Sequence, residues 1–190
     1  MEKHRLESFS DAVLAIIITI MVLELGVPHG PDISALFPII PVFLGYVLSF
    51  IYVGIYWNNH HHLIQTVSNV SGSILWANLF LLFWLSLFPF TTAWMTENHF
   101  APWPTVLYGV VLLMASIAYP ILQSQIIKTE GEHSKLKQAV GRDYKGKISI
   151  VCYVIAICAA LILPIIAQLL YVIVALLWLI PDRRIERVLD

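Results

Sequence analysis

Six stretches of about 20 mostly apolar residues, set in a chain of only 190, constrain this sequence more than any other feature. They fall at about 5–26, 36–57, 72–95, 103–126, 147–164 and 166–181, each close to the length a helix needs to cross a bilayer. The breaks between them are readable. Gly26-Val27-Pro28-His29-Gly30-Pro31 closes the first stretch, Pro102-Trp103-Pro104 opens the fourth, and Pro164 marks a tight link between the fifth and sixth. Composition agrees: 59% of the residues are hydrophobic and 12% charged, against roughly 25% charged in a soluble domain. The expected fold is an all-α integral membrane protein, a six-transmembrane-helix bundle forming one unit over 1–190. No small-residue cleavage site follows the first apolar run, so it reads as a span and not a removable signal. No room is left for a soluble catalytic domain, and no Ser/His/Asp set, HExxH or phosphate loop is present, so an enzyme is not expected. A net charge of −1 with few bases gives no nucleic-acid signature. Cys152 and Cys158 lie about 120° apart on a helix and read as small hydrophobes.

The bases orient the bundle. Lys3 and Arg5 precede the first span; Lys128, Lys135, Lys137, Arg142, Lys145 and Lys147 lie between spans four and five; Arg183, Arg184 and Arg187 follow the sixth. With six spans all of them fall on one side, while the opposite loops hold the acids Asp32 and Glu97. The positive-inside rule makes that side cytoplasmic and places both termini there.

The first span begins Arg5-Leu6-Glu7-Ser8-Phe9-Ser10-Asp11 and then runs apolar through Leu23. Ionisable residues at a membrane span are costly and mark function by default. Helical geometry puts Ile16, Ile20 and Leu23 within about 60° of one another, with Thr19 at the edge of that face. Asp11 lies about 140° from Ile16, and Ser10 about 120° away on the other flank. The polar groups and the aliphatic stripe therefore look in different directions: Ser10 and Asp11 toward neighbouring helices, the stripe toward lipid, packing or an ion path. Glu24 falls at the outer end of the span and has two readings, a carboxylate that concentrates cations at a mouth or an ordinary water-exposed helix end.

Span two ends Tyr56-Trp57-Asn58-Asn59-His60-His61-His62. Consecutive histidines point about 100° apart on a helix, so they do not converge on one metal ion. One or two of them are expected to donate to a buried carboxylate, Asp11 being the nearest candidate. Trp76 and Asn78 on span three stand at the same depth, and an intramembrane asparagine commonly bonds to a neighbouring helix. Pro89 removes a helix hydrogen bond in span three, where Thr91 and Thr92 can satisfy the freed carbonyl. Trp94, Trp103 and Tyr108 fit an outer aromatic belt, and Trp57 and Trp178 an inner one. No TVGYG-like segment offers a carbonyl filter.

Arg5-x-x-x-Phe9-Ser10-Asp11 at the start of the first span resembles the signature of the lysosomal potassium channel family, transmembrane protein 175, whose bacterial members carry one six-span unit per chain. Trp57-Asn58-Asn59-His60-His61 and Pro89-Phe90-Thr91-Thr92-Ala93-Trp94 extend the resemblance over about the first half of the chain. It implies a homotetramer whose first helices line a central pore, with Ile16, Ile20 and Leu23 forming an aliphatic constriction and Thr19 beside them. It also implies a hydrogen-bond network of Arg5, Ser10, Asp11, His60 and Trp76, with Asn78 and Trp57 as further members. His62 departs from the family, standing where a basic residue is expected. The function so implied is passive K⁺ conduction, with K⁺ as permeant ion and no cofactor, in a prokaryotic plasma membrane. Proton leak, assisted by the histidines, and less so coupled transport are the alternatives.

Overall fold

Proline and glycine divide the chain into helices, and the divisions are finer than the apolar stretches. The computed structural model describes residues 3–131, 134, 136 and 143–179. Among these, seven α-helices follow one another: α1 (Lys3–Leu23), α2 (Ile40–Gln65), α3 (Gly72–Ser86), α4 (Phe88–Glu97), α5 (Pro102–Glu130), α6 (Tyr144–Ala160) and α7 (Pro164–Leu179). A 3-10 segment, Ile33–Ile39, leads into α2, whose start carries Pro41. Span three is thus two helices. Pro89 has no N–H for the Leu85 carbonyl, so α3 stops at Ser86 and the chain re-enters as α4. The freed Leu85 carbonyl accepts instead from the Leu87 N–H, while the Thr91 hydroxyl, expected to serve it, donates to the Leu87 carbonyl at 3.0 Å. Gly131, with φ of 63°, follows the last turn of α5 in a conformation that glycine adopts without strain.

Four segments are long and apolar enough to cross a bilayer: Lys3–Leu23, Ile33–Gln65, Gly72–Glu97 and Pro102–Glu130. The fifth and sixth spans correspond to α6 and α7, of 17 and 16 residues, joined by the turn Leu161–Leu163. α2 continues to Gln65, so the whole histidine tract lies inside the helix and not at its exit. Lys135, Lys137, Arg142, Arg183, Arg184 and Arg187, which enter the orientation argument, and residues 180–181 at the end of the sixth stretch lie outside the described residues.

α1 packs on α2, α3 and α4, while α5 packs on α3, α4 and α6, and α6 on α7. The core runs through Leu14, Tyr52, Leu81, Phe88, Leu112 and Tyr171. Tyr108 belongs to it. The residue expected in the outer aromatic belt is wholly buried, with its hydroxyl 3.0 Å from Ser49 Oγ, which in turn lies 2.7 Å from Thr92 Oγ1. A tyrosine near a span end satisfies either role; here polar partners on α2 and α4 draw it inward.

Candidate pore-lining helix and its brace

α1 buries one residue per turn: Leu6, Ser10, Leu14, Ile17 and Met21. The other side is open. Ile16 is 57% exposed, Ile20 42% and Leu23 75%, with Phe9 continuing the stripe at 51%. Thr19 lies on this open side too, its hydroxyl donating to the Ala15 carbonyl at 2.9 Å, which leaves oxygen lone pairs outward. Glu24 is exposed just past the end of the helix. The structure therefore brings Ile16, Thr19, Ile20 and Leu23 onto one uncovered strip, as their azimuths require.

Two sets of contacts fix the opposite side. The first is buried: Asn78 Nδ2 donates to Ser10 Oγ at 2.9 Å, and Asn78 Oδ1 lies 2.7 Å from His60 Nε2. The Ser10 hydroxyl gives its proton to the Leu6 carbonyl at 2.9 Å, so its lone pairs are free to accept from Asn78. One asparagine thereby links α1, α2 and α3 at a site where Ser10 and Asn78 are fully buried and His60 is 2% exposed.

The second set is a ladder between the antiparallel α1 and α2. Lys3 Nζ donates to the Gln65 carbonyl at 2.7 Å, Glu7 Oε1 lies 3.2 Å from His61 Nδ1, and Trp57 Nε1 donates to Asp11 Oδ1 at 3.1 Å. The rungs recur every fourth residue on both helices, the spacing that keeps side chains on one face. Trp57 also stacks on His61, with ring centroids 6.3 Å apart. Lys3 and Glu7 were not among the expected site residues. The signal that finds them is the match between Lys3, Glu7, Asp11 and Trp57, His61, Gln65, each set at four-residue steps.

Three expectations are corrected. Arg5 takes no part in the network: it is exposed and makes no hydrogen bond or ion pair among the described residues. It stands about 20° from Ile16 in azimuth, on the stripe side. Trp76 is 76% exposed and also lies outside the network. It sits about 200° from Asn78, so the two cannot both face α1. Finally, Asp11 accepts from Trp57 and not from a histidine; His60 turns to Asn78 instead.

A helical bundle whose spans are apolar and leave aliphatic faces uncovered, α1 along Ile16, Ile20 and Leu23 and also α6 and α7, is built as an integral membrane protein. The chain belongs to the TMEM175 family. The family model described as the endosomal/lysosomal potassium channel TMEM175 matches residues 5–89, which contain the open strip and all of the brace except Lys3. A protein of a Chryseobacterium species named as a potassium channel is 60% identical over 187 residues, covering 98% of this chain and 97% of that one. The rat protein named endosomal/lysosomal proton channel TMEM175 is 29% identical over 130 residues, 65% of this chain and 25% of the relative. The fold matches the crystal structure of a lysosomal potassium-selective channel TMEM175 homolog from Chamaesiphon minutus, with TM-score 0.82 and 23% identity over 95% of this chain and 98% of that one.

Proposed function

We propose that this chain is one subunit of a homotetrameric potassium channel, with four α1 helices around a central pore and K⁺ crossing passively. The observation that carries the reading is the open strip of Ile16, Thr19, Ile20 and Leu23 on a helix whose other face is buried and hydrogen-bonded. Four such strips facing an axis make an aliphatic constriction. An ion passing it sheds part of its hydration without carbonyls to replace the lost water. K⁺ surrenders water at lower cost than Na⁺, so selectivity for K⁺ is modest and arises from dehydration. The Thr19 oxygens lend partial compensation, and Glu24 raises the local cation concentration at the mouth. The 60%-identical relative named as a potassium channel supports this ion. The rest of the apolar surface meets the lipid bilayer, in a prokaryotic plasma membrane with both termini cytoplasmic, as the distribution of bases favours.

The name of the rat relative favours a second reading, proton conduction. Purified protein in liposomes separates the two: a K⁺ gradient drives cation flux under the first, and a pH gradient without K⁺ drives it under the second. Ile16→Ser is expected to raise K⁺ flux several-fold and to bring Na⁺ permeation close to that of K⁺. Unchanged flux and unchanged selectivity would place the pore lining elsewhere.

A further inference from the structure

A cavity of about 40 Å³ lies among α2, α5, α6 and α7, and no α1 residue lines it. Its walls are aromatic, with Tyr56, Tyr119, Tyr153 and Trp178 among them, and Asp143 at the start of α6 contributes a carboxylate. The hydrogen-bonding state of this lining is one-sided. Tyr119 donates to the Asn59 carbonyl (3.1 Å), Ser116 to the Leu113 carbonyl (2.7 Å) and Ser149 to the Lys145 carbonyl (2.8 Å). Trp178 Nε1 donates to Ser149 Oγ (2.8 Å), Tyr153 to the Tyr52 hydroxyl (3.3 Å), and Asn59 Nδ2 to the Ile55 carbonyl (2.8 Å). The donors left over are the Tyr56 hydroxyl and the second Asn59 amide proton.

Acceptors remain in excess. Pro120, itself in the wall, has no N–H for the Ser116 carbonyl four residues back. Asn59 Oδ1 and the Tyr56 and Ser116 oxygens keep lone pairs, and Asp143, which caps α6 by accepting from Gly146 N at 2.9 Å, makes no ion pair among the described residues. Lys145 adjoins the Trp178 ring at 5.9 Å, but its Nζ is directed at the Leu177 carbonyl (3.4 Å) and it is not part of the lining.

Acceptors, aromatic faces and a carboxylate with too few donors are complementary to a cation that brings its own N–H groups. We infer that this cavity binds a small primary ammonium ion, which bridges α2 to α6 and α7 within each subunit. A water needs about 10–15 Å³ by the same measure, so the space holds about three non-hydrogen atoms, the size of ethylammonium. So few atoms limit the affinity to the millimolar range.

The test is calorimetric titration of ethylammonium into the full-length protein in lipid nanodiscs, with ethanol as the neutral comparison. Saturable millimolar binding is expected, with ethanol at least tenfold weaker. Asp143→Asn, which keeps a competent helix cap while removing the charge, is expected to weaken binding about tenfold. Ser116→Leu, which fills the cavity, is expected to abolish it. Equal binding of ethanol, or binding unchanged by either substitution, would overturn the proposal, the latter because it locates the ligand elsewhere, such as in the pore. Displacement of ethylammonium by K⁺ at equal concentration would overturn it as well, by making the site one for alkali cations.

Discussion

α1 and the trio α5–α6–α7 are held in the bundle by different means. In the trio, small residues carry the contact: Ala115 and Ala118 on α5, Ala156 and Ala160 on α6, and Ala167 and Ala175 on α7 are all 0–2% exposed. Close backbone approach gains dispersion where lipid competes equally well for larger apolar groups. Gly109 shows how close: a Cβ there would run into the Tyr171 hydroxyl, which donates to the Thr105 carbonyl at 3.1 Å. α1 has no such surface. It is clasped near one end by the Lys3, Glu7 and Asp11 rungs and by Ser10, and beyond them it buries only Leu14, Ile17 and Met21. A helix held by directional bonds on one face, with the other left open, is placed accurately while staying available to a neighbouring copy. The trio is scaffold; α1 is presented by it.

Substitutions that attack the two modes of attachment should differ in size and in kind. The largest expected effect is Gly109→Val. Its added carbons meet the buried Tyr171 and the side chain of Ile157, and the overpacking costs about 3 kcal/mol or prevents assembly of the trio. Thermal unfolding in detergent reads it. Asn78→Leu comes next, because it strands His60 Nε2 and takes the donor from Ser10 Oγ in a buried site, at a cost of about 1–3 kcal/mol. The two lesions are distinguishable by hydrogen exchange: Gly109→Val should release protection in α5 and α7, Asn78→Leu in the N-terminal half of α1. Loss of protection in the same helices for both would mean that the scaffold and the clasp are one cooperative unit, contrary to the contrast drawn above.

The two modes also differ in how far the sequence reveals them. The open strip is legible because helical azimuth follows from spacing alone, and Ile16, Ile20 and Leu23 fall together whatever surrounds them. Ser10 and Asn78 are legible for a second reason: a polar side chain in an apolar span must find a partner. The same angular rule, applied to every residue of the motif, excludes Arg5 from the clasp and makes Trp76 and Asn78 mutually exclusive. Carrying over a whole motif hides that choice. The trio is scarcely legible, because alanine, tyrosine and threonine suit a lipid face, a belt or a core alike. Nothing local tells Tyr108 that Ser49 and Thr92 wait on α2 and α4. Such pairings depend on which helices become neighbours, and that is decided by the sum of many weak contacts.

A smaller effect sharpens this point. Tyr108→Phe removes one hydroxyl from a set of three and leaves the Ser49–Thr92 bond intact, so about 0.5–1.5 kcal/mol should be lost. If the loss matches that of Asn78→Leu, the tyrosine is as much a clasp as the asparagine, and the scaffold is not held by close packing alone.

The smallest stability effect belongs to Ile16→Ser, and its smallness is the strongest test of the open strip. A side chain 57% exposed in the subunit contributes little to intramolecular packing, so a change within about 0.5 kcal/mol is expected for the unfolding of the subunit. Its effect on K⁺ flux should nonetheless exceed that of Tyr108→Phe, because in the proposed pore the strip meets the ion and the tyrosine does not. Measured on the same preparations, stability and flux should rank the variants in opposite orders. If Ile16→Ser costs as much stability as Asn78→Leu, Ile16 is packed against a neighbour, and the strip is an interface between helices in place of a surface along which ions pass.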